Sequence, residues 1–344
     1  MKTDIRSMLP DELTCFCKEM NLPSFRAKQI FRWLHIDGVE SFDEMSNIPK
    51  QLRDKLNEIA EIFHCTIENK QISLYDSTVK YLFRLNDGEF VESVLMKYKY
   101  GYSLCVSSQV GCRMGCTFCA STLGGVVRSL TASEILAQIF AAQKDACIRV
   151  SHVVMMGMGE PLDNYDNTVR FLKLATHEDG LNLSMRNISL STCGIVPKIY
   201  DLAKENMQFT LSVSLHAPND ELRSSMMPVN RKWPVDELLK ACRDYVKTTS
   251  RRISFEYSMV RGKNDTDECA IELAKRLKGM LCHVNLIPVN AVDETGCIGS
   301  TPQRVQQFAA ILQARGINTT VRRTLGADID AACGQLRKKK MKGE

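Results

Sequence analysis

Three cysteines in one short loop are the residues whose types and spacing most clearly indicate chemistry. Cys112, Cys116 and Cys119 lie within GCRMGCTFCAS, where two glycines leave the loop free to fold around a bulky ligand. Three thiolates can hold three irons of a cubane iron–sulfur cluster, which leaves the fourth iron open to a small molecule. A structural zinc would need a fourth ligand, such as Cys105 or a distant histidine. The loop therefore predicts an open 4Fe–4S cluster, with a zinc knuckle as the alternative.

Glycine and polar residues at the ends of predicted strands are candidates for binding a cofactor. Met156-Gly157-Met158-Gly159-Glu160 follows the apolar run HVVMM; its glycines allow close backbone approach, and Glu160 can accept hydrogen bonds from an ammonium or a hydroxyl. Residues in LSTCG, SVSLHA and NLIPVN end later strands in the same way. The predicted cofactor-binding residues are Gly159, Glu160, Ser191, Ser214, Leu215, His216 and Asn290. Each of them, taken singly, could instead cap a strand end by hydrogen bonding.

Alternation of strands and helices in the later part of the chain would bring these residues together. The apolar strands are SLCVSSQ, HVVMMG, NISLST, FTLSVSLH, ISFEYSMV and HVNLIPVN, with NTTVRR as a last apolar segment. Helical stretches such as VDELLKACRDYV and TPQRVQQFAAILQARG lie between them. Parallel strands need such helical crossovers, so the pattern predicts an open or closed α/β barrel. Ligands in such folds gather at the carboxyl ends of the strands.

The first part of the chain is predicted to form a small helical domain. Helices begin near Pro10, Ser24 and Pro49, and the second carries basic residues available to solvent or to phosphate. Next, YLFRL and EFVESVLMK flank Asn86-Asp87-Gly88, which predicts a β-hairpin between two domains. The predicted division is a helical accessory domain over 1–72, a hairpin linker over 73–97, the barrel over 98–330 and a C-terminal segment with a basic tail over 331–344.

Composition and charge exclude several classes of protein. The chain has 344 residues, 44% of them hydrophobic, which is enough for one large core and a smaller appended domain. A net charge of +5 permits an anionic partner such as RNA without requiring one. The start lacks the apolar run of a secretory signal, and no apolar stretch is long enough to span a bilayer, so we expect a cytoplasmic protein with no membrane partner. Its 14 cysteines should then be mostly reduced thiols.

Several long stretches of the chain form a joint pattern. They are ESVLMKY, SLCVSSQVGCRMGCTFCASTLGG, MMGMGEPLDN, LSTCGIVP, SVSLHAPNDELRSSMMPVNRK, HVNLIPVN and DIDAACGQL. Together they resemble the bacterial dual-specificity rRNA and tRNA adenine-C2 methyltransferases, a branch of the radical S-adenosylmethionine (SAM) superfamily, over nearly the whole chain. The resemblance implies a partial (β/α)6 TIM-like barrel with a small N-terminal helical, RNA-binding domain. It also implies methylation of C2 of an adenosine in the 23S rRNA peptidyl-transferase centre and of the adenosine 3′ of certain tRNA anticodons.

The position of the methylated carbon explains why such an enzyme needs a radical. C2 of adenine lies between two ring nitrogens and is electron-poor, so it cannot attack the methyl group of a sulfonium as an amine or thiolate can. The resemblance implies that the open iron binds SAM and that each turnover uses two SAM molecules. The first would methylate the thiolate of Cys333, and the second would yield an adenosyl radical that abstracts hydrogen from the S-methyl group.

Release of the product would need two more residues. By the same resemblance, Cys105 forms a transient disulfide with Cys333 and so frees the RNA, while Glu92 removes the C2 proton. The implied partners are 23S rRNA, tRNA, an external low-potential electron donor and a thiol reductant. The remaining cysteines are predicted to be packing thiols, among them Cys15, Cys17, Cys147, Cys193, Cys242, Cys269, Cys282 and Cys297.

Two alternatives compete with methylation at C2. A sister branch methylates C8 of the same rRNA adenosine and shares the cluster loop, both catalytic cysteines and GMGE. The text FCASTLGG and GMGEPL resembles the C2 branch, although no physical reason links those positions to the choice of carbon. The other alternative is a non-catalytic RNA-binding module with a structural cluster or zinc. Three-thiolate ligation argues against it, because an open iron is reactive and has no use in a scaffold.

Overall fold

Strands and helices alternate along the computed structural model, which describes residues 2–288, 298–323, 325–326, 328–329 and 337. Its strands are β1 (Thr3–Asp4), β2 (Ala60–Glu61), β3 (Thr66–Ile72), β4 (Val79–Arg84), β5 (Phe90–Tyr98), β6 (Gly101–Cys105), β7 (Gln109–Gly111), β8 (Val126–Ser129), β9 (Val150–Met155), β10 (Ile188–Thr192), β11 (Thr210–Ser214), β12 (Ile253–Met259), β13 (Cys282–Pro288) and β14 (Thr319–Val321). Its α-helices are α1 (Pro10–Glu19), α2 (Phe25–Arg32), α3 (Lys50–Ile59), α4 (Ala132–Ala146), α5 (Tyr165–Ala175), α6 (Val196–Lys204), α7 (Asp220–Met226), α8 (Val235–Thr249), α9 (Asp267–Leu277) and α10 (Pro302–Ala314). Within these ranges no helix has both the length and the apolarity needed to cross a bilayer.

A ten-stranded sheet forms the centre of the described fold, in the order β14-β13-β12-β11-β10-β9-β6-β5-β4-β3. The strands from β6 to β14 in this sheet pair in parallel with their neighbours. At least one helix connects each pair of successive parallel strands, from α4 between β6 and β9 to α10 between β13 and β14. The predicted α/β class, with a partial barrel of six strand–helix units, is therefore confirmed.

Alternating side chains give the parallel strands two different faces. In β12, Phe255 and Tyr257 are buried in the apolar core, whereas Glu256 between them lines an internal cavity. In β10, Leu190 belongs to the core and Ser191 lines the same cavity. Successive side chains of a strand point to opposite faces of the sheet. A polar residue that interrupts an apolar strand here therefore faces the interior of the barrel.

Three antiparallel strands extend the sheet beyond β6. They form a meander in which β3 pairs with β4, β4 with β5, and β5 with β6. The hairpin predicted at Asn86-Asp87-Gly88 is present: Leu85 N donates to Glu89 O at 2.8 Å, and Gly88 has a φ of +86°. However, β3 falls inside the range 1–72, for which the sequence predicts only helices. Its sequence TIENKQI is mostly exposed at the sheet edge, so no buried apolar alternation marks it as a strand.

The predicted N-terminal helices are present as α1, α2 and α3. Arg6, which precedes them, bonds carbonyls of this region and contacts helix α4 of the barrel. Its buried guanidinium donates to Phe63 O at 2.6 Å and also to Val39 O, and it lies 5.0 Å from the ring centroid of Phe140 in α4. Burial lowers the pKa of Arg6 to about 10, so the group stays charged at neutral pH. One cation thus satisfies two carbonyls and rests on an aromatic ring.

His35 is a second ionisable group buried in the N-terminal region. Neither ring nitrogen has a hydrogen-bond partner in the part of the chain that the structure describes, and the ring lies 4.3 Å from that of Phe31. Burial, helped by the nearby charges of Arg6 and His177, lowers the pKa of His35 to about 3. The folded protein therefore holds this imidazole neutral, whereas the unfolded chain takes up a proton near pH 6.5.

We predict that replacing this imidazole weakens the dependence of stability on pH. Because the pKa is lower in the folded state, stability is complete above about pH 6.5 and is lost as pH falls towards about 3, by about 1.4 kcal/mol per pH unit. His35→Phe keeps the ring contact and removes this loss. The difference in free energy of unfolding between the variant and the wild type should therefore be about 2 kcal/mol larger, in favour of the variant, at pH 5 than at pH 7. Urea titrations of both proteins at both pH values measure this difference. An equal change in the free energy of unfolding between pH 7 and pH 5 in the two proteins would contradict the prediction.

Candidate active site

A cavity of about 350 Å³ lies between the cysteine loop and the inner face of the parallel strands. Its wall brings together most of the predicted site residues. They are Cys105, Cys112, Cys116, Cys119, Gly159, Glu160, Ser191, Ser214 and His216. Leu215 is fully buried but does not line the cavity. Asn290 and Cys333 lie outside the described residues, so their proposed roles stay predictions.

Backbone hydrogen bonds brace the cysteine loop. Cys112 N donates to Gly125 O at 2.9 Å, and Cys119 N donates to Cys116 O at 3.1 Å. Gly111 has a φ of +77°, and a Cβ there would stand 2.0 Å from Gly125 O, so no larger residue fits at the start of the loop. The loop is thus folded back on itself in a way that presents its cysteines to the cavity.

The surroundings of these cysteines are apolar, and this sets their charge. Burial raises the pKa of Cys112 to about 12 and raises the pKa of Cys116 as well. Both therefore stay neutral thiols at physiological pH unless a cation favours the thiolate, as a bound metal does. Within the described ranges no three His, Cys, Asp or Glu side chains are arranged to hold a metal ion. A 4Fe–4S cluster does not need its thiols gathered around one ion, because each thiolate binds a different iron. Cys112, Cys116 and Cys119 in one cavity wall supply such a set of soft donors.

The glycines of GMGE are required by packing inside the protein. A Cβ on Gly157 would stand 2.6 Å from Val106 O, and a Cβ on Gly159 would stand 2.6 Å from Gln109 Cβ. Gly159 also has a φ of +102°. The sequence predicts that a backbone or ligand comes close to this motif. In the structure the chain that follows β6 is what comes close, and the cavity lies beside these two packed segments.

Glu160 is buried, and its carboxylate joins the ends of two strands. Oε1 accepts a hydrogen bond from Leu162 N at 3.0 Å, and Oε2 accepts one from Cys193 N at 2.7 Å. Burial raises the pKa of Glu160 above its usual value, although these bonds oppose the shift. Side-chain hydrogen bonds from Thr192 and Cys193 also reach this carboxylate, so its own surroundings fix its orientation in the cavity wall.

His216 enters the cavity wall in a fixed protonation state. Its Nδ1 accepts a hydrogen bond from Ser258 N at 2.9 Å, and burial lowers the pKa of His216 to about 3. The neutral ring must therefore carry its proton on Nε2, which makes it a hydrogen-bond donor and not a general acid at neutral pH. The ring meets Phe118 of the cysteine loop edge-on, with 4.9 Å between centroids.

Glu256 is a site residue that sequence reasoning missed. It lines the cavity, and its oxygens accept hydrogen bonds from Ser254 Oγ at 3.0 Å and from Asn285 Nδ2 at 2.8 Å. Burial raises its pKa. The sequence did contain a signal for Glu256, because it is a single carboxylate inside the apolar strand ISFEYSMV. A charged residue in such a strand must face a polar cavity or a bonding partner.

Arg223 is a second group that was missed, and it ties several strand ends together. The fully buried guanidinium donates to Cys193 O at 2.6 Å, to Ser214 O and Leu215 O at 3.2 Å each, and to Asn230 Oδ1 at 3.0 Å. Cys193 lines the cavity, so its interpretation as a packing thiol is incomplete. Cys15 and Cys147 are exposed, which contradicts that interpretation for both.

Glu92 and Cys105 lie on the neighbouring strands β5 and β6. The Glu92 carboxylate is buried and lies 2.9 Å from Lys80 Nζ, which is also buried. Arg337 N donates to Glu92 Oε1 at 2.7 Å. Cys105 ends β6 in a small apolar cluster against which Leu325 packs. Leu325 precedes Cys333 in the sequence and Arg337 follows it. These two residues contact the strands that carry Cys105 and Glu92.

We predict that Gly159→Ala destabilises the protein more than a matched change at Gly262. Both glycines have positive φ, but a Cβ on Gly262 has nothing within 4 Å, whereas one on Gly159 meets Gln109. Gly262→Ala should cost about 1 kcal/mol from backbone strain alone, and Gly159→Ala about 3 kcal/mol because the neighbouring chain must move. Urea titration gives both values, and equal losses would show that the close approach is not needed.

Family models match two parts of the chain. The model described as the radical SAM superfamily matches residues 106–277. The model described as the ribosomal RNA large subunit methyltransferase N-terminal domain matches residues 3–62. The first match covers the cysteine loop and most of the cavity wall, and the second covers the N-terminal helices.

Several relatives are similar over almost their full length. A probable dual-specificity RNA methyltransferase RlmN of Clostridium novyi is 55% identical over 95% of this chain and 96% of its own length. One of Lachnospira eligens is 53% identical over 98% and 97%. The crystal structure of a radical SAM methyltransferase from Sphaerobacter thermophilus matches 97% of this chain and 98% of its own, with 44% identity and a TM-score of 0.93. The chain belongs to the RlmN family of dual-specificity RNA methyltransferases, within the radical SAM superfamily.

Proposed function

We propose that the chain methylates C2 of an adenosine in the peptidyl-transferase centre of 23S rRNA and of the adenosine 3′ of the anticodon in a subset of tRNAs. The observation that carries the proposal is the cavity whose wall contains both the three-cysteine loop and Cys105. Beside it, Glu92 binds a chain segment close in sequence to Cys333. These are the groups that methylation of an electron-poor carbon requires, and family membership supplies the reaction class.

The cavity suits one 4Fe–4S cluster and SAM, of which the proposed reaction uses two molecules per turnover. Cys112, Cys116 and Cys119 would hold the cluster, and the apolar surroundings of their loop would limit the access of water. When bound, the cluster and SAM supply a one-electron cleavage that generates a hydrogen-abstracting radical. The groups proposed to contact SAM are Gly159, Glu160, Ser191, Ser214, His216 and Asn290; Leu215, predicted with them, does not line the cavity. Among them, Glu160 offers acceptors, and His216 offers a donor of fixed orientation.

Cys333 is proposed to carry the methyl group to the base. A soft thiolate displaces the methyl of a sulfonium readily, whereas C2 of adenine does not. Cys333 stands four positions before Arg337 and eight after Leu325 in the sequence. Arg337 is bound to Glu92, and Leu325 packs against the cluster that contains Cys105. These contacts support a place for Cys333 beside both partners that the reaction assigns to it.

Glu92 and Cys105 are proposed to complete the reaction once the S-methyl carbon of Cys333 is bonded to C2 of the base. Glu92 would take the C2 proton as the radical adduct gives up one electron, which the oxidised cluster would be able to take back. Lys80, 2.9 Å away, offsets the cost of burying that carboxylate. The thiolate of Cys105 would then attack the sulfur of Cys333. The electron pair of the broken carbon–sulfur bond would stay with the carbon, which takes up a proton to become a methyl group. The two cysteines would be left as a disulfide.

The proposed partners follow from this cycle. A thiol reductant must restore the two cysteines, and a low-potential donor must supply the electron that first reduces the cluster. The RNA substrates are 23S rRNA and tRNA, and the proposed location is therefore the cytoplasm. Affinity for RNA should fall as salt rises, because contacts of Lys and Arg with phosphate are screened.

One anaerobic assay tests the proposed function. The reconstituted enzyme is given SAM, a reductant and either 23S rRNA fragments or tRNA, and the products are digested to nucleosides for mass spectrometry. We expect 2-methyladenosine from both substrates. A methyl group at C8 would instead assign the chain to the sister activity, and a failure to form any 5′-deoxyadenosine would leave only an RNA-binding module.

We predict different failures for the two proposed catalytic cysteines. Cys333→Ala should abolish methylation, at least 1000-fold by order of magnitude, because the methyl carrier is gone. Cys105→Ala should trap a covalent enzyme–RNA adduct, visible as a shifted band on a denaturing gel, because the resolving thiol is absent. Cys242→Ala removes another buried thiol, in α8, and should do neither. Free methylated RNA formed at the normal rate by Cys105→Ala would contradict the role of Cys105.

A further inference from the structure

Arg223 of helix α7 is fully buried and bonds to the ends of two neighbouring strands. Its Nη2 donates to Cys193 O at 2.6 Å and to Ser214 O at 3.2 Å, and its Nε donates to Leu215 O at 3.2 Å. Cys193 follows β10, whereas Ser214 ends β11 and Leu215 comes directly after it. One side chain thus joins the carboxyl ends of β10 and β11, where groups proposed to contact SAM are found.

These bonds begin where the ladder between the two strands ends. The last aligned pair of β10 and β11 is Thr192 with Val213. Main-chain hydrogen bonds hold two parallel strands together only as far as their ladder extends. Beyond it, Cys193 O and Ser214 O both accept a hydrogen bond from the same nitrogen of Arg223. The guanidinium therefore sets the distance between the two strand ends at the point where the sheet no longer does so.

The bond to Cys193 also connects Arg223 to a third strand end. Cys193 N donates to Glu160 Oε2 at 2.7 Å, and Glu160 belongs to the segment that follows β9. Glu160, Ser191 and Ser214 all line the cavity. Arg223 therefore holds, directly or through one residue, the ends of three strands, and each of these ends presents a proposed cofactor contact.

Arg223 is itself held in place from its other edge. Its Nη1 donates to Asn230 Oδ1 at 3.0 Å. Asn230 Nδ2 in turn donates to Asp220 Oδ1 at 2.9 Å and to Ser224 Oγ at 2.8 Å. Because the guanidinium is planar and rigid, fixing one of its edges fixes the directions of its other N–H groups. The carbonyls that accept from these groups are thereby kept at set positions.

Arg6 offers a comparison that separates positioning from stability. It is also fully buried and also bonds two main-chain carbonyls, but these lie in the N-terminal region and not in the cavity wall. Burial lowers the pKa of Arg223 as it lowers that of Arg6, so a charge is kept in each place at a cost. The two arginines are alike in burial and in the type of acceptor. They differ in that only the acceptors of Arg223 belong to segments that line the cavity.

We propose that Arg223 is a positioning residue for SAM, because it sets the spacing of the strand ends from which the cofactor contacts project. Arg223 does not itself line the cavity, so it acts through Glu160, Ser191 and Ser214. The inference rests on the proposed function, since it takes SAM as the ligand of these strand ends. It extends that function to a residue outside the cavity wall.

The test measures the affinity for SAM of the full-length, anaerobically reconstituted protein by equilibrium binding. Arg223→Lys keeps the charge but replaces the rigid fork by one nitrogen on a flexible stem, which cannot bond all of these oxygens at once. Its dissociation constant for SAM should rise about tenfold. At a fixed SAM concentration, the change that SAM causes in the electron paramagnetic resonance spectrum of the reduced cluster should be smaller. In the cluster-free protein the amide of Cys193 should exchange deuterium faster, because the strand end that carries it is less firmly held.

Arg6→Lys is the matched control. It makes the same change at the other fully buried arginine, so it should lower the melting temperature by a similar amount and leave the affinity for SAM unchanged. Iron content should match the wild type in both variants. An unchanged affinity for SAM in Arg223→Lys, or an equal loss of affinity in Arg6→Lys, would overturn the inference and leave the proposed function standing.

A milder variant decides the matter if Arg223→Lys does not fold. Asn230→Ala keeps the guanidinium but removes the acceptor at its far edge. A loss of SAM affinity smaller than tenfold, without loss of iron, would support the inference, whereas the affinity of the wild type would refute it. If the wild-type protein itself binds no SAM, the proposed function fails, and this inference fails with it.

Discussion

The chain that follows β6 lies directly against the chain that follows β9, and the candidate site depends on this contact. Gly157 N donates to Val106 O at 3.1 Å, and Ser108 N donates to Met158 O at 2.8 Å. The backbones approach so closely that a side chain at Gly157 would collide with a carbonyl. The cysteine loop continues from one of these segments, and Glu160 ends the other. Their relative position, and so the shape of the cavity between them, is fixed by backbone packing that only glycine permits.

Charge inside this cavity is controlled by burial. The buried cysteines of the loop and His216 are neutral at physiological pH, and the carboxyl groups of Glu160 and Glu256 are held by neutral hydrogen-bond donors. Lys80 and Glu92 are also buried, but they form an ion pair. An uncompensated charge in such surroundings is costly, so a cationic ligand that draws the thiols into their anionic form is favoured there. Arg322 and Arg323 line another part of the same cavity, so its wall combines neutral buried groups with two exposed cations.

Sequence patterns predicted the parts of this structure that repeat or cluster. The parallel strands, the hairpin at Asn86-Asp87-Gly88 and the loop of three cysteines were all visible as periodicity or spacing. The edge strand β3 was missed because its residues are mostly exposed. Glu256 was missed although it interrupts an apolar strand, whereas Arg223 was missed because its contacts join distant strand ends, which no local pattern encodes. The role of Cys333 rests on resemblance and that of Asn290 on its place at the end of a predicted strand, and both residues lie outside the described part of the chain.

The bond between Arg337 and Glu92 joins residues 245 positions apart, so the end of the chain closes on a strand made near its beginning. A ribosome releases those last residues only after the sheet has emerged and can already have folded. A chain that stopped before residue 333 would therefore keep every strand of the ten-stranded sheet but lack both Arg337 and Cys333. Such a chain would also leave the buried ion pair of Lys80 and Glu92 without the hydrogen bond that Arg337 N donates to it.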